Sequence, residues 1–246
     1  MDDKLIEMLK YLRLSGLLAN WDELLATARK RRFSPVRLLK YAVEEEYKIK
    51  KRNAHSLRLK KASVPEMLLI ETYPFKRQPR LDKKKILSLF DAFDYMTRHR
   101  NIIWVGPTGV GKTGLATGFL VQAIDRGYTG RYILFRDLVA ELFASGADHS
   151  EDKVLKRYLF YDCLLIDELG YVEVEPAQVG LFFTLMHKRH RKKSTLLTSN
   201  LGFSEWRSFL KNDHLTAALI DRLTENSHVI NMRQCVTLRP KLSREI

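Results

Sequence analysis

Cysteine is scarce in this sequence of 246 residues, and long apolar runs are missing. The two cysteines, Cys163 and Cys235, make neither a disulfide framework nor a Cys-x-x-Cys metal pair, and both lie among apolar residues. The seven histidines lack the spacings of protein-bound zinc sites. The first residues lack the basic and apolar segments of a signal peptide, and no apolar run approaches the roughly 20 residues of a membrane helix. These absences predict a soluble, cytoplasmic protein with no membrane partner.

Basic residues, in contrast, are abundant. The chain has 43 Lys+Arg against 29 Asp+Glu, which gives a formal net charge of +14. An anionic partner is the first interpretation, with nucleic acid ahead of an acidic membrane surface, while a merely solubilising surface is the alternative. The charge is uneven, since residues 1–63 contain 16 Lys+Arg and 8 Asp+Glu.

The first 63 residues show only helical periodicity. Apolar residues recur at helical spacing from Leu5 to Ala28, and Ser34-Pro35 is a helix start signal because Ser caps free amides and Pro tolerates the first turn. The helix that follows carries basic residues at its far end: Lys48, Lys50, Lys51, Arg52, Arg58, Lys60 and Lys61. Such a run is either a solvated face or a phosphate-facing surface. The sequence therefore predicts a small all-helical domain at 1–63 that contacts DNA or a partner.

Three prolines interrupt this pattern between 64 and 81, which predicts an extended connector. From 82 to 246 short apolar runs alternate with helical segments. The four candidate strands are Asn101–Val105, Arg131–Phe135, Tyr161–Ile166 and Ser194–Thr198, and a helix is expected over Lys83–Thr97. This alternation is typical of an α/β domain whose parallel sheet is covered by helices.

A glycine-rich loop follows the first of these strands and matches the pattern GxxxxGK[ST] at every fixed position. Its residues are Gly106, Pro107, Thr108, Gly109, Val110, Gly111, Lys112 and Thr113. Glycine lets successive backbone amides face one point, where they and the next helix N-terminus cradle phosphates. Lys112 reaches the same oxygens, and the Thr113 hydroxyl ligates Mg²⁺. The loop therefore predicts binding of ATP with Mg²⁺; a glycine-rich turn with a surface lysine is the alternative.

Two further strands end in polar residues. Asp167 and Glu168 follow the buried run Leu164–Ile166, where Asp167 would hold the magnesium hydration shell and Glu168 would polarise the attacking water. Asn200 ends another strand, and ligands of parallel sheets bind at the carboxyl ends of strands, so Asn200 is expected beside the γ-phosphate. The alternatives are a turn after the strand at 167–168 and an Asn-Leu-Gly turn at Asn200.

In this order the three blocks resemble the Walker A, Walker B and sensor-1 motifs of an AAA+ ATPase. Asp167–Tyr171, Thr198–Trp206 and Ala217–Leu223 look like the corresponding segments of the IstB family, the ATP-binding helpers encoded beside transposases of insertion sequences. Leu12-Arg13-Leu14 and Phe33-Ser34-Pro35 are also similar to family elements, so that the resemblance covers essentially the whole chain.

The resemblance implies an AAA+ fold, ATP-dependent homo-oligomers on duplex DNA, bending of that DNA, and recruitment or stimulation of a cognate transposase. It also implies that Arg222 is an arginine finger completing the site of a neighbouring subunit, unless it is a surface residue paired with Asp221 or Glu225. Arg239 aligns with a family arginine at the nucleotide, although the Ser-Tyr that normally precedes it is missing. No separate C-terminal lid is expected, which leaves the adenine to the connector around 73–77.

Two basic clusters in this domain, at 83–85 and 188–193, are expected to contact DNA phosphates without reading sequence, although basic residues also complement a helix C-terminus. A helicase loader resembling DnaC is the alternative function, and a non-enzymatic DNA-binding adaptor is a third.

Overall fold

The computed structural model describes residues 1–147, 150–171 and 174–239. It divides the chain into two compact units, Met1–Leu57 and Arg58–Ile246. The division falls six residues before the end of the expected helical domain, inside one continuous helix. The sequence pattern gave no sign of a division there, because helical periodicity continues through it.

The first unit is helical throughout. Its helices are α1 (Asp3–Tyr11), α2 (Ser15–Ala19), α3 (Trp21–Lys30) and α4 (Pro35–Ala62), the last of which extends into the second unit. Asp2 caps α1 by accepting a hydrogen bond from the Leu5 amide, and α4 begins at Pro35 as the Ser34-Pro35 signal predicts. Glu46 is buried and accepts from the Leu17 amide at 2.7 Å, which ties α4 to α2.

Two short 3₁₀ turns, Ile70–Thr72 and Phe75–Arg77, lie within the segment expected to be extended. Beyond it α5 covers Lys83–Ala92 and α6 covers Asp94–Thr97. The single helix expected over Lys83–Thr97 is therefore wrong, because Phe93 adopts a left-handed backbone conformation (φ 54°) and ends α5. The Phe93 side chain is buried, and that tertiary packing outweighs its helical periodicity.

Five parallel strands form the sheet of the described residues. They are β1 (Asn101–Val105), β2 (Gly130–Leu134), β3 (Cys163–Leu169), β4 (Ser194–Ser199) and β5 (Ser227–Asn231), in the order β2-β3-β4-β1-β5. The first four confirm the predicted strands within three residues at each end. The fifth was not predicted from the sequence.

Helices cover both faces of this sheet. They are α7 (Lys112–Asp125), α8 (Phe135–Ala147), α9 (Glu151–Phe160), α10 (Pro176–Arg189), α11 (Trp206–Leu210) and α12 (Asp213–Thr224). Alternate residues of each strand enter separate cores, because successive side chains of a strand point to opposite faces. On β3, Leu165 packs with α5, α7 and the connector, whereas Leu164 and Ile166 pack with α8, α10 and α12.

Candidate functional site

The glycine-rich loop connects the end of β1 with the first residue of α7. Gly109 and Gly111 have φ of 80° and 91°, in the left-handed region that disfavours residues with a Cβ. A Cβ on Gly111 would also lie 2.7 Å from Cε2 of Tyr73. These two glycines are therefore required by both backbone conformation and packing.

Segments distant in sequence hold this loop in place. The carbonyl oxygen of Val110 accepts hydrogen bonds from the Tyr73 hydroxyl (2.9 Å) and from the Gln78 side-chain amide (3.2 Å). The same Gln78 amide group exchanges bonds with both backbone groups of Val236, and the Leu238 amide donates to the Gly109 oxygen at 2.7 Å. Hydrogen bonds thus join the loop to the connector and to the residues after β5.

Lys112 is the first residue of α7 and is buried. Its Nζ donates to the carbonyl oxygens of Gly106 (2.7 Å) and Pro107 (2.8 Å), and so folds back over the loop. Burial lowers the pKa of Lys112 below its usual value, while the nearby charges of Asp167 and Glu168 act against that shift. The ammonium group is thereby held over the loop by two backbone carbonyl oxygens.

The Asp167 carboxylate is almost fully buried, with 2% of the residue exposed, and accepts bonds from three directions. Thr113 of α7 donates to both carboxylate oxygens at 3.1 Å, Thr198 of β4 donates to Oδ1, and Tyr132 of β2 donates to Oδ2 at 2.9 Å. Burial and the charge of Asp167 raise the pKa of Tyr132, so its hydroxyl remains a donor. A hydroxyl and a carboxylate in contact are the hard oxygen ligands that Mg²⁺ prefers.

Glu168 is exposed although its neighbours in β3 are buried. Its φ is 63°, and the register between β3 and β4 shifts between Ile166 and Leu169. The Glu168 amide donates to the Thr198 hydroxyl at 3.0 Å, so this one hydroxyl contacts both members of the acidic pair. A bulge of this kind re-aims a side chain next to a site.

A cavity of about 280 Å³ lies where these groups meet. It is lined by Gly109, Gly111, Lys112, Thr113, Glu168, Tyr171, Thr198, Leu238 and Arg239. A lysine ammonium and a helix N-terminus suit phosphate oxygens, and the Thr113–Asp167 pair suits a magnesium ion, so the residues present fit ATP with Mg²⁺. Arg239 is brought to this cavity as well, even though the Ser-Tyr before it is missing.

Asn200 is not among the residues that line this cavity. It is Thr198, two residues earlier on β4, that lines the cavity and contacts Asp167. Oδ1 of Asn200 is buried without a hydrogen-bond partner among the described residues, next to Gly170. The register accounts for the contact of Thr198 with Asp167, because Leu197 pairs with Ile166 and the next residues, Thr198 and Asp167, are then adjacent.

Arg222 of α12 is not among the residues lining this cavity. Its Nε donates to Nδ1 of His187 at 2.9 Å, its Nη1 donates to the Ala218 oxygen at 3.0 Å, and its guanidinium lies 5.0 Å from the centre of the Phe183 ring. The expected alternative partner Glu225 instead pairs with His190 and Arg191. Arg222 is thus held against α10.

Three residues of the site were not singled out by sequence reasoning: Tyr132, Thr198 and Gln78. Tyr132 and Thr198 share the Asp167 face of the sheet, and this could be found only once the strand register is known. Gln78 carries no local signal, because its partners Val110 and Val236 are 32 and 158 residues away.

Several basic residues of the cluster at 188–193 are buried or paired with acidic residues. Arg189 is 1% exposed and donates to the carbonyl oxygens of Tyr158, Tyr161 and Ser194. Lys193 pairs with Asp162, and Arg191 pairs with Glu225. Arg189 therefore supports the fold and cannot contact DNA, which corrects the expectation for that residue.

Among the described residues, no group of three or more His, Cys, Asp or Glu side chains is arranged to hold a metal ion. None of the helices in the described ranges is long and apolar enough to cross a membrane.

Comparison with known proteins identifies the family. Residues 7–244 match the family described as IstB-like ATP binding protein. The chain is 30% identical over 226 residues to a protein of Pseudomonas aeruginosa insertion sequence IS21 that is named for ATP binding, covering 92% of this chain and 85% of the relative. A similarly named protein of insertion sequence IS5376 from Geobacillus stearothermophilus is 29% identical over 246 residues, covering 100% and 98%.

Solved structures show the same fold at lower identity. The DnaC helicase loader superposes with a TM-score of 0.51 at 23% identity, over 60% of this chain and 86% of the loader. AMPPCP-bound DnaA from Aquifex aeolicus superposes with a TM-score of 0.57 at 17% identity, over 70% of this chain and 51% of the DnaA chain. With this sheet order and with the family match over nearly its whole length, the chain belongs to the IstB-like ATP-binding family and has an AAA+ fold.

Proposed function

We propose that this protein hydrolyses ATP with Mg²⁺ and acts as the ATP-driven helper of a transposase encoded by an insertion sequence. The observation that carries the hydrolysis is the acidic pair. Asp167 is buried against the Thr113 hydroxyl, while the adjacent Glu168 is turned out into the cavity that Lys112 lines. Two neighbouring carboxylates in such different surroundings are suited to different tasks.

Each residue of the site has a defined task in this proposal. Loop amides and Lys112 bind the phosphates, and Thr113 with Asp167 would hold Mg²⁺. When bound, the ion would neutralise charge that develops on the transferred phosphoryl group. Glu168 takes a proton from the attacking water, and Thr198 keeps Glu168 and Asp167 in fixed relation.

Catalytic use of Glu168 is tested with Glu168→Gln, which keeps the shape of the side chain and removes its basicity. ATP turnover should fall about 10²–10⁴-fold with nucleotide affinity retained. Lys112→Ala should instead abolish binding, and Lys188→Ala, an exposed lysine on α10, is the matched control. Unchanged turnover in Glu168→Gln would leave ATP as a structural ligand and favour the adaptor function.

Arg222 is proposed to complete the site of a neighbouring subunit in an ATP-dependent oligomer. Arg222→Ala should then bind nucleotide normally but hydrolyse it slowly, since arginine fingers contribute roughly 10³–10⁵ in rate in other nucleotide hydrolases. Mixing Arg222→Ala with Glu168→Gln should restore some turnover, because a mixed interface pairs one intact arginine with one intact glutamate. Failure of the mixture to gain any activity contradicts this assignment.

Duplex DNA is proposed to bind the basic end of α4 without base reading. Lys48 pairs with Glu45 and Lys50 approaches Glu46, whereas Lys51 and Arg52 are exposed. Affinity should fall with salt at a log–log slope of about −0.9 per phosphate neutralised. The double variant Lys51→Gln/Arg52→Gln should reduce that slope by about two.

The charge-matched control is Lys4→Gln/Lys10→Gln in α1, which removes the same net charge and should leave the slope unchanged. Equal effects of both pairs would show that total charge, and not this helix, binds DNA.

The partner is tested by adding the ATP-bound protein to the transposase of the same element. Stimulated strand transfer supports the helper function, and loading of a replicative helicase would replace it with the loader function.

A further inference from the structure

The Asp167 carboxylate is held by two hydroxyl groups from the neighbouring strands, and Tyr132, one of the two, has no part in the motifs that identify the site. Thr198 donates to Oδ1 from β4, and Tyr132 donates to Oδ2 from β2 at 2.9 Å. These are the strands on either side of β3 in the sheet. The carboxylate is therefore gripped at both oxygens by its two neighbours.

Tyr132 reaches Asp167 along a diagonal of the sheet. It pairs in register with Leu165, two residues before Asp167 and on the same face. A tyrosine side chain is long enough to span this diagonal, as its 2.9 Å contact with Oδ2 shows. Its ring also packs against the buried core on that face.

The Thr113 hydroxyl does not by itself fix the carboxylate. It lies 3.1 Å from both oxygens, so this contact holds neither oxygen in preference to the other. The terminal torsion of an aspartate is broad and roughly two-fold. One donor on each oxygen, from opposite sides, defines the plane of the group.

We propose that Tyr132 is a positioning residue for the magnesium-binding carboxylate, acting through its hydroxyl on Asp167. The inference rests on the proposed use of Mg²⁺ by this site. Outer partners that orient a metal ligand typically contribute 10–100-fold to metal affinity.

The fold of β2 does not depend on this hydroxyl. The neighbouring Arg131 donates to the carbonyl oxygen of Lys61 (3.1 Å) and to the Ser63 hydroxyl, and the backbone of β2 pairs with β3 over five residues. Tyr132→Phe removes one oxygen atom and keeps the packed ring. The variant loses one hydrogen bond to the carboxylate but keeps its packing and its strand pairing, and it is therefore expected to remain folded.

The experiment titrates MgCl₂ into the full chain with a fluorescent ATP analogue and measures the concentration giving half of the magnesium-dependent signal. Tyr132→Phe should raise that concentration about tenfold. The affinity of Tyr132→Phe for the ATP analogue in EDTA should stay within about twofold of the wild-type value, because the phosphate contacts of the loop remain. Tyr128→Phe is the matched control, since Tyr128 packs on Phe93 in the same core and lies outside the site.

Each outcome decides the question. The assignment is overturned if Tyr132→Phe needs the same magnesium concentration as the wild type. It is also overturned if the variant loses affinity for the ATP analogue in EDTA as strongly as in magnesium, which would indicate a general loss of structure. A tighter magnesium response also overturns it, because the hydroxyl would then compete with the ion. A wild-type protein that shows no magnesium response counts instead against the proposed ATP–Mg²⁺ site itself.

Discussion

Replacing Thr198 by valine tests whether one buried hydroxyl connects the two acidic residues of the site. Valine has the shape of threonine, and Thr198 is 1% exposed, so the packing should be kept. The hydroxyl accepts from the Glu168 amide at 3.0 Å and donates to Oδ1 of Asp167. The substitution removes both bonds and changes little else.

The expected loss of stability follows from those two bonds. A hydrogen bond to a charged group contributes about 1.5–3 kcal/mol, and a buried amide left without an acceptor costs at least about 1 kcal/mol. Thr198→Val should therefore reduce the free energy of unfolding by about 3 kcal/mol. Thr198→Ser keeps the hydroxyl and loses one buried methyl group, which costs about 0.8 kcal/mol.

Urea unfolding and ATP turnover of the two variants provide the measurement. Turnover of Thr198→Val should fall about 10²-fold, because the glutamate loses the bond that orients it, whereas Thr198→Ser should stay within a few-fold of the wild type. Equal stability losses and equal turnover in the two variants would refute the connecting role of the hydroxyl.

Three further predictions concern the loop, the core and the thiols. Gly111→Ala should weaken ATP binding about tenfold, since an alanine in the left-handed conformation costs about 1–2 kcal/mol. Gly127→Ala is the control, because Gly127 also has a positive φ but open space around a Cβ. It should lower the stability of the protein and leave its affinity for ATP unchanged. Arg189→Met should reduce the free energy of unfolding by about 4 kcal/mol in urea titrations, because it leaves two buried carbonyl oxygens and one part-buried one without their donor. Burial raises the pKa of both thiols, that of Cys163 to about 12, but Cys163 is buried and Cys235 only partly so. Iodoacetamide at pH 8 should therefore label Cys235 and spare Cys163 until the protein unfolds, as read by mass spectrometry.

The parts of the fold that local sequence encodes were predicted closely. Strand β1 and the loop after it follow from an apolar run, fixed glycines and a helix signal that lie within 25 residues of each other. Strand β5 was missed because its residues, Ser227–Asn231, alternate only weakly in polarity. It is a strand because β1 offers a free edge for pairing, and that information is 126 residues away along the chain.

The residues of the site also differ in whether local sequence predicts them. Residues whose roles depend on a local turn, such as Gly111 and Lys112, carry a sequence pattern. Thr198 and Tyr132 gain their contacts from the register of three strands, which a single sequence does not reveal. The prediction for Arg189 is wrong for a related reason, because a run of basic residues does not show which member of the run turns inward.

The backbone at Glu168 provides a test of how the site places two adjacent carboxylates in one cavity. In a regular strand, successive side chains face opposite sides, so the residue after Asp167 would enter the apolar core around Ile166 and Leu169. An ionised carboxylate there would be strongly destabilising. The register shift and the φ of 63° turn Glu168 outward instead, and they cost backbone strain.

Glycine and alanine substitutions at this position measure that strain. Glycine normally makes a protein about 0.5–1 kcal/mol less stable than alanine does, and Lys156→Gly against Lys156→Ala, on the exposed face of α9, should show this difference. At Glu168 the order should reverse, because alanine retains a left-handed strain of about 1–2 kcal/mol and glycine does not. Glu168→Gly should therefore unfold at higher urea than Glu168→Ala, while both variants lose ATP turnover. If alanine is the more stable substitution at both positions, the backbone at Glu168 is unstrained, and the outward turn of the carboxylate then comes from packing alone.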